Sequence, residues 1–137
     1  MIKVRRIFGL LVTPKFQDFC YQSALLIFVL IVVLGSPPGA RDDVGHYASG
    51  LVLHSLAYAF LGLLVFLRSR GRGSQRALKA TLTIAIMGAL DEGVESFFTY
   101  RTAAVSDWLV DVAAGSLVSI FLCKLRLVVA DQSKFGG

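Results

Sequence analysis

Five acidic side chains lie within or beside two apolar segments near the end of the chain. Asp91, Glu92 and Glu95 belong to the first of these segments, and Asp107 and Asp111 belong to the second. A carboxylate at the centre of a membrane helix costs about 3 kcal/mol on insertion scales. Such groups must therefore be paired, protonated, hydrated or bound to a cation. They are the candidate functional site of this protein.

The spacing of these acids places them on single faces of their helices. Asp91, Glu92 and Glu95 fall within one arc of about 100° at helical periodicity, and Gly88 lies on the same face. The following segment repeats one pattern at every fourth residue: Asp107, Asp111, Gly115 and Ser119. Glycine and serine let membrane helices approach closely. The carboxylates therefore lie on faces that are suited to helix packing.

A histidine and a tyrosine occupy a matching face of an earlier apolar segment. Gly50, His54, Tyr58 and Gly62 recur at every fourth residue, and His54 lies about 10 Å below the outer end of its helix. These positions predict a polar cavity in the outer half of a small bundle, with Arg101 as its cap. The cavity set is His54, Tyr58, Asp91, Glu92, Glu95, Arg101, Asp107 and Asp111. The predicted helix-packing residues are Gly50, Gly88, Gly115 and Ser119.

The predicted cavity contains more acid than base. Five carboxylic acids face one arginine and one histidine, so in a dry interior some acids should be protonated at neutral pH and titrate as a coupled set. A divalent cation is an alternative, because carboxylate oxygen and imidazole nitrogen atoms are common metal ligands. The candidate metal ligands are His54, Glu92, Glu95, Asp107 and Asp111. A buried network that only joins the last two segments is the structural alternative.

Composition places most of the chain in a lipid bilayer. The 137 residues are 55% hydrophobic, with a mean hydropathy of +0.70, which is more apolar surface than a soluble domain of this length can bury. Four segments can each cover a hydrocarbon core that needs about 20 helical residues. They are 19–35, 47–67, 78–98 and 105–123, followed by a basic tail at 124–137. The sequence predicts a single all-α membrane domain that forms a small antiparallel four-helix bundle.

Positive charges predict the orientation of the segments. Twelve of the 14 Lys and Arg residues fall on one side of a four-span arrangement, and only Arg41 and Arg101 fall on the other. By the positive-inside rule both termini are cytoplasmic. The net charge is +5, but the basic residues form no stripe interleaved with aromatic residues. A nucleic-acid partner is therefore not expected. Trp108 and Tyr100 are expected to be interface anchors.

An ordered set of these residues resembles the VanZ-like family, small membrane proteins named for an accessory factor of glycopeptide-antibiotic resistance. The matching residues, between positions 46 and 122, are His54 and Tyr58 in HSLAY, Asp91 and Glu92 in DEGVES, and Arg101, Asp107 and Gly115 in RTAAVSDWLVDVAAG. Glu95 and Asp111 stand where the family has Gln and Asn, and Gly50 replaces a usual acid. The cavity is therefore more acidic than the family pattern, which favours a cation or a proton as part of its function.

The resemblance implies a bacterial inner-membrane protein with a role in the cell envelope and no defined reaction. Lowered binding of a lipoglycopeptide-type drug and an envelope-lipid process are examples of such a role.

The first hypothesis is a non-catalytic accessory protein that binds a lipid, a lipid-linked glycan, a membrane-protein partner or a second copy of itself. The second is a membrane-embedded enzyme acting on a lipid headgroup, with the acids and His54 as general acid and base. Ser96 and Ser106 lie near the acids but match no nucleophile motif. The third is a proton- or cation-coupled transporter.

Overall fold

The computed structural model of the protein describes residues 13–36, 50–100 and 104–135, with side chains to residue 129. Within these ranges the chain forms four α-helices, which are α1 (Pro14–Gly35), α2 (Gly50–Arg68), α3 (Gly73–Glu95) and α4 (Val105–Phe135). The prediction of an all-α protein is confirmed.

Three of these helices are long and apolar enough to cross a membrane: α1, α2 and the Val105–Val129 part of α4. Large apolar side chains cover their surfaces, for example Leu34 at 65% exposure and Leu117 at 69%. Such surfaces suit contact with lipid rather than water. The three helices therefore indicate a membrane protein. α3 is less apolar, because the basic residues Arg76 and Lys79 and the three acids at positions 91, 92 and 95 belong to the same helix.

A tight connection joins α2 to α3. Gly71 adopts a φ of 121°, a conformation that glycine tolerates because it has no Cβ atom. The Gln75 side chain then accepts a hydrogen bond from the backbone N–H of Arg72 at 3.0 Å, which satisfies a donor at the start of α3. Because so few residues separate the two helices, α3 must turn back along α2.

α4 is longer than the predicted span. The sequence predicts an apolar segment at 105–123 with a basic tail behind it, whereas the helix continues to Phe135. No proline or glycine interrupts the chain between Gly115 and Gly136, and helix propagation adds one hydrogen bond for each further residue. The tail therefore extends the helix beyond its apolar part.

α2, α3 and α4 form the centre of the bundle, and α1 is peripheral. α4 packs along both α2 and α3, whereas α1 packs mainly on α2. The buried core includes Tyr58, Leu61, Ile84 and Met87. The sequence pattern of α3 suggests lipid contact for Met87, but Met87 lies four residues before Asp91 and so only about 40° from it around the helix. It is buried because the apolar core of the bundle extends around this side of α3.

Two glycines allow α2 and α4 to approach closely. A Cβ atom built on Gly62 would lie 2.9 Å from Cα of Gly115. A Cβ atom on Gly115 would lie 2.9 Å from both Cγ1 and Cγ2 of Ile84 on α3. Gly50 differs from its packing prediction, because no described atom lies within 4 Å of a Cβ built there. It is the first residue of α2, away from the helix crossing.

Candidate functional site

His54 and Asp111 form a hydrogen-bonded pair between α2 and α4. Nδ1 of His54 lies 2.9 Å from Oδ1 of Asp111. The Asp111 side chain is fully buried, and that of His54 is 10% exposed. A neutral imidazole can donate to a carboxylate only from a protonated nitrogen. With an ionised Asp111 the contact requires the Nδ1–H tautomer or the imidazolium form of His54, whereas a protonated Asp111 would itself donate to Nδ1.

Tyr58 links α2 to α3 one helical turn further along. Its hydroxyl donates to Oδ2 of Asp91 at 3.0 Å, and both residues are buried. The rings of His54 and Tyr58 stack with centroids 6.1 Å apart and planes inclined by 6°, as residues four apart on one helix can do. α2 thus contributes two neighbouring side chains that hydrogen-bond to acids on two different helices.

The structure brings most of the predicted cavity residues together at one end of the bundle. The acids of α3 and α4 are electrostatic neighbours, since Asp111 interacts with Asp91 and Asp107, and Glu92 interacts with the same two residues. Glu95 is also buried, at 2% exposure. Arg101, the predicted cap, lies outside the described residues.

Glu92 has a contact that the spacing did not predict. Its Oε2 accepts a hydrogen bond from the backbone N–H of Ala104 at 2.7 Å. Ala104 directly precedes α4, and the first N–H groups of a helix have no acceptor within that helix. A carboxylate there also interacts favourably with the positive end of the helix dipole. Glu92 therefore stabilises the start of α4 from the end of α3.

Trp108 contacts the small-residue face of α3, in addition to its predicted role at the membrane interface. Its Nε1–H donates to the carbonyl oxygen of Ala85 at 2.9 Å. A Cβ atom built on Gly88 would lie 3.1 Å from Cδ1 of the indole ring. Ala85 and Gly88 thus leave the space that the ring occupies. Trp108 could not be assigned this contact from sequence, because its partner is a backbone atom on another helix.

We expect Trp108→Phe to lower the free energy of unfolding by about 1 kcal/mol, the net value of one hydrogen bond. The measurement is an SDS titration of the protein in mild detergent micelles. Tyr100→Phe is the matched control, since it removes an exposed hydrogen bond of 2.7 Å to the carbonyl of Ser36 and should cost less. Equal losses in the two variants would contradict a stabilising role for the part-buried indole N–H.

Some buried polar atoms of α3 and α4 have no hydrogen-bond partner in the part of the chain that the structure describes. They include Oε1 of Glu92, Oδ2 of Asp111 and Oγ of Ser119. An unsatisfied buried polar group costs about 1–3 kcal/mol. Oδ2 of Asp111 lies beside α3, 3.2 Å from a Cβ built on Gly88. A proton on the carboxyl group, or a donor from a ligand, would satisfy it.

The predicted metal ligands do not assemble into a metal site within the described residues. No group of three or more His, Cys, Asp or Glu side chains there is arranged to hold a metal ion. His54 pairs with Asp111, and Glu92 binds the backbone N–H of Ala104. The described structure gives no support to a divalent cation at His54, Glu92, Glu95, Asp107 and Asp111.

The fold and the site together define a helical membrane protein with buried histidine–carboxylate and tyrosine–carboxylate pairs. Comparison of the chain with models of known families, with curated proteins and with solved structures finds no match. The VanZ-like resemblance is therefore a prediction that rests on the sequence motifs.

Proposed function

We propose that the chain is a VanZ-like protein of the bacterial inner membrane that acts as a non-catalytic accessory or binding protein of the cell envelope. The observation that carries this proposal is the set of buried polar pairs that joins three helices at one end of the bundle. His54 with Asp111 and Tyr58 with Asp91 fix the helices around a cluster of acids. Intramembrane acids of this kind mark functional sites by default.

The proposed arrangement has four spans with both termini in the cytoplasm. The 23 residues of α3 extend about 34 Å at 1.5 Å per residue, and a hydrocarbon core is about 30 Å thick. α3 also packs along α4, itself apolar enough to span. With α3 as a span, the basic residues divide twelve to two between the sides of the membrane, which supports the proposed orientation.

Binding is favoured over catalysis by the contacts of the nearby hydroxyl groups. A serine nucleophile requires an adjacent general base within hydrogen-bond reach. Ser96 instead donates its hydroxyl to the carbonyl of Gly93 at 2.7 Å. Ser106 is exposed and lies 3.4 Å from Oδ1 of Asp107, a long contact for an activated hydroxyl. These two hydroxyl groups are therefore not activated nucleophiles, and the proposal assigns the acids to binding and to helix association.

The proposed ligand carries hydrogen-bond donors. Oε1 of Glu92 and Oδ2 of Asp111 are acceptors without a donor among the described residues, and carboxylates accept strong hydrogen bonds from hydroxyl and ammonium groups. A lipid headgroup, a lipid-linked glycan and a partner membrane protein can each supply such groups. The proposal thus concerns an envelope ligand or partner recognised by its donors.

Native mass spectrometry in a mild detergent tests this proposal. We expect a bound lipid, glycan or partner subunit on the wild type, and its loss from a Glu92→Gln, Asp107→Asn variant that remains folded. Asp18→Asn is the matched control, because Asp18 is an exposed acid on α1, away from the cluster. The control should retain the ligand.

Two results would overturn the assignment of binding to the acid cluster. If the double variant keeps every ligand that the wild type and the control carry, binding lies elsewhere on the protein. A bare protein in all samples, with the double variant less stable, would make the acids purely structural. In that case only their role in joining the helices would stand.

A further inference from the structure

A cavity of about 550 Å³ lies between α1, α2 and α3, toward the end of α2 that is remote from His54. α1 packs mainly on α2 and only slightly on α3, which leaves this cleft open between them. Its volume falls within the range of roughly 300–1,000 Å³ that is usual for small-molecule sites. One part of its lining is apolar and includes Leu25, Val65 and Leu82. The other part is basic.

Three cations line the basic part of this cavity: Arg68, Arg70 and Lys79. Cζ of Arg68 lies 5.5 Å from the ring centroid of Tyr21, a cation–π contact that holds the guanidinium in place. Nε of Arg70 donates to Oε1 of Gln17 at 3.0 Å. Nζ of Lys79 donates to the carbonyl of Arg70 at 3.2 Å. Neighbouring groups therefore position all three cations.

These cations lack an anionic partner within the described part of the protein. None of the residues that line the cavity is acidic, and Arg68, Arg70 and Lys79 form no ion pair with a described acid. Nε of Arg68 is also buried there without a hydrogen-bond acceptor. A buried charged donor is costly unless an acceptor satisfies it. The basic part of the cavity therefore has the electrostatic character of an anion site.

We propose that this cavity binds one anionic phospholipid. Its phosphate contacts Arg68, Arg70 and Lys79, since guanidinium and ammonium groups are the usual ligands of phosphate. The upper part of one acyl chain lies against Leu25 and Leu82, and the remainder extends into the bilayer. The cations stand at the ends of the apolar helices α1 and α2, which is the depth at which lipid headgroups lie.

The combination of features selects a lipid over a soluble anion. A free phosphate would use the cations and leave the apolar lining of the cavity exposed to water, which is unfavourable. The outer surface of α1 is itself covered by exposed apolar side chains such as Leu26 and Val33. An acyl chain in the cleft is therefore continuous with the lipid around α1. This site is separate from the acid cluster and does not depend on the function proposed for it.

Lipid titration followed by native mass spectrometry tests the proposal on the full chain in mild detergent. The probes are phosphatidylglycerol and phosphatidylcholine with identical acyl chains. We expect one phosphatidylglycerol to bind in preference to phosphatidylcholine. In an Arg68→Gln, Lys79→Gln variant its affinity should fall about 10- to 30-fold, as expected for two lost cations near a phosphate.

The matched control is a Lys15→Gln, Lys124→Gln variant. It removes the same charge from exposed positions outside the cavity, and it should keep the affinity of the wild type. If the Arg68 variant does not fold, Arg70→Gln with Lys79→Gln replaces it, because both side chains are exposed. Leu25→Trp should also weaken phosphatidylglycerol binding, since the larger ring occupies the proposed acyl position.

Three results would overturn the proposal. Equal binding of the two lipids would remove the role of the headgroup charge. Equal loss of affinity in the cavity variant and in the control would mean that binding follows net charge rather than this site. Displacement of the lipid by excess inorganic phosphate, with no effect of Leu25→Trp, would identify a phosphate site without a lipid component.

Discussion

Gly62→Ala should lower the free energy of unfolding in an SDS titration by about 2 to 3 kcal/mol, the upper part of the range for overpacking. The added methyl group would lie 2.9 Å from Cα of Gly115, and backbone atoms of a packed helix cannot rotate away as a side chain can. α2 and α4 would have to separate. The contacts that depend on their approach, including His54 with Asp111, would then lengthen.

Gly93→Ala is the matched control for this substitution. Gly93 lies on α3, and no described atom comes within 4 Å of a Cβ built there. Alanine also has a higher helix propensity than glycine, by about 1 kcal/mol. The control should therefore be neutral or stabilising. A Gly62→Ala protein as stable as the control would contradict the close helix crossing.

The neighbouring glycine should respond differently to a second substitution. A methyl group on Gly115 would meet Cγ1 and Cγ2 of Ile84, which are side-chain atoms that Ile84→Ala removes. The double variant Gly115→Ala, Ile84→Ala should thus lose less free energy of unfolding than the sum of the losses in the two single variants. Gly62→Ala combined with Ile84→Ala should show no such compensation, because its clash is with the backbone. Simple additivity in both pairs would contradict this geometry.

Asp111→Leu should destabilise the protein by about 2 kcal/mol, because Nδ1 of His54 would lose its carboxylate acceptor in a buried site. Asp111→Asn should cost much less, since the amide oxygen can still accept this hydrogen bond at 2.9 Å. The amide nitrogen would replace Oδ2, which has no partner among the described residues, so no observed hydrogen bond is lost at that position. SDS titration of both variants gives the comparison.

The ratio of the stability losses in Asp111→Asn and Asp111→Leu indicates the charge state of the pair of His54 and Asp111. A small effect of Asn would indicate a hydrogen bond to a neutral His54, because no negative charge is then needed. An effect of Asn as large as that of Leu would contradict this expectation and indicate an ion pair with the imidazolium. Asn is also the residue that the VanZ-like pattern has at this position, so its tolerance would fit the resemblance.

A double-mutant cycle isolates the contact itself. The combination of His54→Phe with Asp111→Leu should show a coupling of about 1 kcal/mol, within the range for hydrogen bonds between membrane helices. His54→Phe with Asp18→Leu is the control pair, because Asp18 is exposed near the start of α1, the peripheral helix. The control pair should be additive. Additivity in both pairs would mean that His54 and Asp111 do not stabilise each other.

The helices and the polar faces could be predicted from the sequence because both depend on local spacing. Apolar runs of sufficient length gave α1, α2 and α4, and the four-residue period placed Asp111 and Gly115 on one face. The predicted span at 105–123 set no end for the helix, and α4 continues to Phe135, since loss of hydrophobicity does not by itself end a helix. Whether α3 crosses the membrane depends on the helices packed against it as well as on its own residues, because its acids make it less apolar.

Which side chains meet was decided only by the tertiary structure. The sequence placed His54, Tyr58 and the acids at similar depth, but this spacing is equally compatible with several pairings. The close approach of Gly62 to Gly115 sets the distance and the rotation of α2 against α4. In this arrangement His54 hydrogen-bonds to Asp111, and Tyr58 hydrogen-bonds to Asp91.

The basic cavity shows the same division between local sequence and tertiary packing. The sequence alone determined that arginines and lysines cluster between the second and third apolar segments. Only the tertiary structure brought Tyr21 of α1 beside Arg68 and opened an apolar cleft next to these cations. The physical reason is that periodicity fixes the face on which a side chain lies, whereas its partner depends on how two helices cross. That crossing is determined by the packing of all the helices together.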